Sequence, residues 1–161
     1  MNPFDLSNKV ICVTGASSGI GRQCAVSCSR MGATVVLLAR NEQRLHETLS
    51  IMDNPDKHVI IPVDLTEYAT VELVVKNIVS QVGRISGVLH CAGISTTLPL
   101  KLVTPEKLGE FFQANVFSAY NLTREVCKMG NFSKEGGSIV FFSSVMGKVG
   151  ENGKSLYGMT K

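Results

Sequence analysis

The chain has 161 residues, 44% of them hydrophobic and 18% charged, a length and composition that suit one packed domain and exclude a disordered segment. The formal charge is only +3, and the sixteen Lys and Arg residues are scattered, which excludes a dense basic groove for nucleic acid. The five cysteines (Cys12, Cys24, Cys28, Cys91 and Cys127) are odd in number and irregular in spacing, which predicts buried reduced thiols in a cytoplasmic protein, not a disulfide framework.

In chain order, residues 1–10 contain Asp5 and no long apolar core, so they do not read as a signal peptide. No later apolar run approaches the ~20 residues needed to cross a bilayer. Apolar runs of strand length lie at 10–13, 35–38, 59–61, 88–90 and 139–142. Most lack alternation, as expected of parallel strands buried on both faces. The segments between them predict helices over 19–31, 41–52, 67–82 and 105–129. In the third, Val71, Val74, Val75, Ile78, Val79 and Val82 form a stripe at helical spacing. Thr104-Pro105 starts the fourth with a cap residue and a proline at the first helical position. This alternation predicts a doubly wound α/β sheet. Cys24 and Cys28 share a helix side without histidine or cysteine partners, so no metal site is expected.

Between the first strand and first helix stands Thr14-Gly15-Ala16-Ser17-Ser18-Gly19-Ile20-Gly21. A glycine cluster in this context predicts a dinucleotide loop. Gly15 allows the tight turn, Gly19 admits a pyrophosphate to the backbone, and Gly21 lets helix pack on strand. The helix tip offers unpaired N–H groups and partial positive charge, and Ser17 and Ser18 add hydroxyl donors. After the second strand, Leu38-Ala39-Arg40 puts a guanidinium where an acidic residue would grip a ribose hydroxyl. Arg40 can pair with a 2′-phosphate, which favours NADP(H) over NAD(H). The alternative is that Arg40 opens a solvated helix face and Glu42 reaches the ribose.

The G-x-x-x-G-x-G spacing resembles the cofactor loop of the classical short-chain dehydrogenase/reductase family, and the resemblance runs along the whole chain. It implies a Rossmann-type sheet of strand order 3-2-1-4-5, with residues 1–161 forming an NAD(P)-binding domain that lacks the family's C-terminal strands and helices. Asp64-Leu65 is similar to the family's adenine contact. Ala92-Gly93 matches the end of its N-N-A-G motif, with His90 and Cys91 standing where asparagines are usual. Ile20 falls inside the matched loop. Asn115, Ser144, Tyr157 and Lys161 match the catalytic set, and Tyr157 and Lys161 also contact the cofactor by resemblance.

The residue types suit that chemistry. Tyr157 and Lys161 are four apart and share a helix face. A free phenol has a pKa near 10, and a nearby ammonium favours its ionised form, so Tyr157 is expected to exchange a proton with a carbonyl or alcohol oxygen. Ser144, at the end of the fifth strand, is expected to hold that oxygen. It is preferred to Ser143 because it precedes Tyr157 by thirteen residues, as in the family; Ser143 is then expected to turn into the packing. Asn115 is read as bonding a neighbouring strand and, compatibly, as the resemblance implies, as holding a water that links Lys161 to bulk for proton relay. His46, His58 and His90 lack ligand spacing, and His90 reads as a strand-end residue with a satisfied ring.

The expected function is reversible hydride transfer between NADP(H) and a small carbonyl or alcohol substrate, with a carrier-bound 3-oxoacyl thioester one candidate. The loop at 95–103 is expected to line the substrate side. The alternative is an inert cofactor-binding or oligomerisation module. The resemblance implies a dimer or tetramer through the helix at 104–129, and no nucleic-acid or membrane partner is expected. It also implies further chain after Lys161, so 148–161 is expected to be poorly anchored or to lean on a neighbouring molecule.

Overall fold

Five short apolar runs pair side by side in the computed structural model, which describes residues 4–161. They are β1 (Val10–Thr14), β2 (Thr34–Ala39), β3 (Val59–Pro62), β4 (Gly87–His90) and β5 (Ser138–Phe141). All pairs are parallel and the order is β3-β2-β1-β4-β5, as expected. The chain builds outward from β1 to β3 and then returns to the other side of β1. The C-terminal ends of β1 and β4 therefore flank the switch point where a crevice opens.

Helices cover both faces: α1 (Gly19–Arg30) and α2 (Glu42–Leu49) on one, α3 (Tyr68–Gln81) and α5 (Ser118–Val126) on the other. Strand side chains alternate between two apolar layers. Cys12, Val36, Leu38 and Val88 meet Val71, Val75, Ile78, Leu122 and Val126. Ile11, Val13, Val35 and Leu37 meet Ala25, Val26 and Leu45. Two apolar faces explain why the strands do not alternate in polarity. The expected α3 stripe is buried at Val71, Val74, Val75 and Ile78.

Four expectations need correction. The helix expected over 105–129 is three pieces: α4 (Pro105–Phe112), a π-helical turn at Gln113–Phe117, and α5. Helical periodicity in a sequence does not show one extra residue in a turn. β5 is not buried on both faces; it is an edge strand with Val140 and Phe141 exposed. Of the five cysteines, all free, only Cys12 is buried: Cys24, Cys28 and Cys91 are half-buried and Cys127 is exposed.

The fourth concerns 148–161, which is held at several points. The Leu98 N–H donates to the Gly153 carbonyl at 2.8 Å, and Lys154 Nζ to the Thr96 carbonyl at 3.3 Å. Leu156 is fully buried in the short helix α6 (Ser155–Gly158). The loop at 95–103, expected along the substrate, is thereby engaged with this segment. Among the described residues, no helix is long and apolar enough to cross a membrane.

Position on α3 determines the cost of truncation. Ile78→Ala, in the core, is expected to cost about 2–5 kcal/mol. Leu73→Ala, at a side chain 65% exposed on the same helix, should stay within about 0.5 kcal/mol in the same urea titration.

Candidate functional site

The crevice at the switch point is a cleft of about 960 Å³. Its floor is the glycine loop after β1, where Gly15, Ser17, Ser18, Gly19, Ile20 and Gly21 all line the cavity. One wall carries Arg40, Asp64 and Leu65 from the ends of β2 and β3; the other carries Cys91, Ala92 and Gly93 from the end of β4. All eleven residues expected to bind the dinucleotide from the loop and strand ends thus border one cavity.

The loop approaches its neighbours so closely that side chains are excluded. A Cβ on Gly21 would lie 2.3 Å from the Gly15 carbonyl oxygen, and one on Gly15 would lie 2.9 Å from Ala92 Cα. Gly15 and Gly19 also adopt φ of +64° and +52°. Thr14, almost fully buried, fixes the junction: its Oγ1 accepts a hydrogen bond from the Ala92 N–H at 3.0 Å. Ser18 occupies the cap position of α1 without a side-chain cap bond, so it leaves the helix-tip N–H groups without that partner. A bare-backbone cradle at a helix N-terminus fits a pyrophosphate.

At the ends of β2 and β3, Arg40 Nη1 lies 3.9 Å from Asp64 Oδ2, with the Arg40 side chain 72% and the Asp64 side chain 40% exposed. Such a pair is weak and leaves Arg40 free to meet an anion. Asp64 Oδ1 accepts from Thr66 N at 3.0 Å and Thr66 Oγ1 at 2.8 Å. Burial pulls the Asp64 carboxyl upward, but the Thr66 bonds and Arg40 outweigh it and hold it below the ordinary carboxylate value. Asn41 and Arg44 line the cleft beside Arg40, whereas Glu42, the alternative ribose ligand, is not among the lining residues.

The expected catalytic set sits next to this cleft, with none of its side chains among the lining residues. Gly93 joins the two regions: a Cβ there would lie 3.1 Å from Asn115 Oδ1 and 3.6 Å from Lys161 Nζ. Asn115, in the π-helical turn, accepts from Ile94 N at 2.7 Å and donates to the Ile94 carbonyl at 3.0 Å and to Thr160 Oγ1 at 2.8 Å. It therefore bonds the loop after β4, not a strand, and ties that loop to the segment carrying Tyr157 and Lys161. Lys161 Nζ donates to the Phe142 carbonyl at 3.1 Å and lies 5.9 Å from the Tyr157 ring centroid, within cation–π range.

Ser144 Oγ accepts from Met146 N at 3.2 Å and so caps the turn Val145–Gly147. That turn packs tightly on the Tyr157 segment, since a Cβ on Gly158 would stand 2.7 Å from the Met146 carbonyl oxygen. Ser143, expected to turn into the packing, is exposed instead and donates to the Lys161 carbonyl at 2.9 Å. A backbone acceptor from the neighbouring segment draws it outward.

Sequence reasoning missed Thr14, Gln113 and Thr160. Gln113 Nε2 donates to the Thr66 carbonyl at 2.8 Å, linking the π-helical turn to the Asp64 loop. Their bonds are long-range, and no local spacing signals them. Among the described residues no cluster of His, Cys, Asp and Glu could hold a metal. Burial pushes the Cys91 thiol up to about 12, which keeps it protonated at the cleft wall.

His90 is buried at the end of β4, with Nε2 2.9 Å from Thr123 Oγ1 and its ring stacked on Phe141 at 4.7 Å. Its ring is satisfied, as expected, and burial lowers its pKa to about 4. A depressed histidine pKa leaves stability unaffected above the unfolded value near 6.5. As pH falls from there to about 4, the unfolded chain takes up the proton first and is favoured. This group should cost about 3 kcal/mol over that window. Urea midpoints measured against pH should show the loss in the wild type and not in His90→Gln.

A family model for short chain dehydrogenases matches residues 9–161. The oxidoreductase YciK of Escherichia coli (strain K12) is 32% identical over 162 residues, covering 97% of this chain and 64% of that protein. The 3-dehydrosphinganine reductase of Danio rerio is 30% identical over 165 residues, covering 99% of this chain and 49% of that protein. The chain thus spans between about half and two-thirds of the length of these relatives. Among solved structures, a short chain dehydrogenase from Salmonella enterica serovar Typhi str. CT18 superposes with a TM-score of 0.87 at 34% identity, covering 97% of this chain and 66% of that one. One from Shigella flexneri 2a str. 301, complexed with NADP, gives a TM-score of 0.87 at 33% identity, covering 97% and 67%.

Proposed function

The chain belongs to the short-chain dehydrogenase family, and on that premise we propose that it is the dinucleotide-binding part of an NADP(H)-dependent carbonyl reductase or alcohol dehydrogenase. The observation that carries this reading is the cleft: a glycine cradle at one end and a loosely paired arginine at the other. The NADP-complexed relative supports the choice of cofactor.

When bound, the nicotinamide supplies or accepts the hydride. Gly15, Gly19 and Gly21 hold the pyrophosphate, with Ser17, Ser18 and Ile20 beside it, and Arg40 meets the 2′-phosphate. Asp64 and Leu65 hold the adenine side, and Ala92 and Gly93 back the other ribose. Tyr157 gives a proton to the substrate oxygen in reduction and takes it back in oxidation. The Lys161 ammonium stands over its ring, 5.9 Å from the centroid. Ser144 holds the substrate oxygen, and Asn115 orients a water that connects Lys161 to solvent while bracing the Ile94 loop.

The substrate class is a ketone or secondary alcohol, and a 3-oxoacyl thioester is the first candidate. The Danio rerio relative, named 3-dehydrosphinganine reductase, makes 3-dehydrosphinganine the second. The free thiols suit a cytoplasmic setting. Exposed Phe117 and Tyr120, on the π-helical turn and α5, suit assembly into a homo-oligomer.

A second reading, a cofactor-binding module without turnover, is favoured by one observation: neither Ser144 nor Tyr157 is among the residues lining the cleft. NADPH consumption with a panel of ketones, including both candidate substrates, separates the two. Turnover that Tyr157→Phe lowers by about 10²–10⁴-fold supports the enzyme; binding without turnover supports the module. Arg40→Asp should weaken NADPH binding while sparing NADH, and a wild-type preference for NADH would refute the cofactor assignment.

A further inference from the structure

An anion cradle works only if its carbonyl dipoles point away from the ligand. In the glycine loop two carbonyls are held by side chains that are not among the residues lining the cleft. Thr48, fully buried on α2, donates through Oγ1 to the Ala16 carbonyl at 2.9 Å. Arg22, on α1, donates through Nη2 to the Ser17 carbonyl at 2.8 Å. The two side chains are themselves joined, with Arg22 Nε 3.0 Å from Thr48 Oγ1.

The direction of that last bond matters. A guanidinium can only donate, so Arg22 occupies an acceptor lone pair of the Thr48 hydroxyl. The hydroxyl's single hydrogen is then left for the carbonyls, with Ala16 at 2.9 Å and Arg44 at 3.1 Å. Arg22 thus holds one loop carbonyl directly and orients the group that holds the other. Its contact with Glu47, at 3.1 Å, runs to a half-exposed carboxylate at the solvent edge of the brace.

We infer that Arg22 and Thr48 are positioning residues for the cofactor: a brace between α1 and α2 that keeps the Ala16 and Ser17 carbonyls turned off the cleft. The inference rests on the dinucleotide reading of the cleft. Because the brace acts on the loop under the pyrophosphate, it serves NADP(H) and NAD(H) alike and is indifferent to the 2′-phosphate. This separates it from Arg40.

The test is the dissociation constant of the chain for NADPH and for NADH, with the melting temperature recorded for each variant. Thr48→Val keeps the shape and removes the hydroxyl; Thr48→Ser keeps the hydroxyl. Arg22→Met keeps most of the stem, and carries the test if Thr48→Val does not fold. Thr48→Val and Arg22→Met should each weaken both cofactors by a common factor of about ten, with Thr48→Ser staying within about twofold of wild type. Unchanged affinities overturn the brace. So does a loss confined to NADPH, which would make Arg22 a phosphate ligand, or a loss that follows the melting temperature and that Thr48→Ser also shows. A wild-type chain that binds neither dinucleotide removes the cleft assignment and this inference together; a wild type that binds, with variants that bind equally well, removes the inference alone.

Discussion

The architecture depends on one close approach, that of the loop after β1 to the backbone around it. With no side chain at Gly15 or Gly21, the loop settles on itself and on Ala92, and the tip of α1 comes down over the strand ends. Even a methyl group at Gly21 would meet a carbonyl at a separation real Cβ atoms do not tolerate. Lifting the loop would separate the helix tip from the crevice and break the Thr14–Ala92 bond that joins β1 to the end of β4. The switch point supplies the gap, and the glycines let the backbone line it.

A second junction, at Gly93, connects the cleft to the Tyr157 segment. Asn115 reaches from the π-helical turn to Ile94 and to Thr160, while Lys161 reaches the carbonyl of Phe142 beyond β5. Extra residues in a turn of helix often mark functional positions. Here the turn also sends Gln113 to the Asp64 loop. One five-residue stretch thus touches the loops after β3 and β4 and the segment after β5.

The parts of the fold most legible in the sequence were those with a local cause. Unalternating runs such as 35–38 became the two-faced interior strand β2, and the valine stripe of α3 became its buried face. The glycine spacing, Arg40 and Asp64 proved to border one cleft. What was hidden has a long-range cause. The break between α4 and α5 does not disturb composition, and the exposure of Phe141 depends on what packs over β5. The outward turn of Ser143 depends on a carbonyl eighteen residues away. Arg22 and Thr48 looked like ordinary helix residues because their partners are main-chain oxygens brought close only by folding.

The uneven setting of the five thiols gives the molecule a built-in handle for chemistry. Thiolate is the form that reacts with maleimides and haloacetamides. Burial pushes Cys12 and Cys91 up to about 12 and Cys28 up to about 11, so at neutral pH these three stay protonated. Cys127, just past the end of α5, stands in solvent. A fluorophore or spin label added briefly at neutral pH should therefore attach there first, leaving the crevice and its walls untouched.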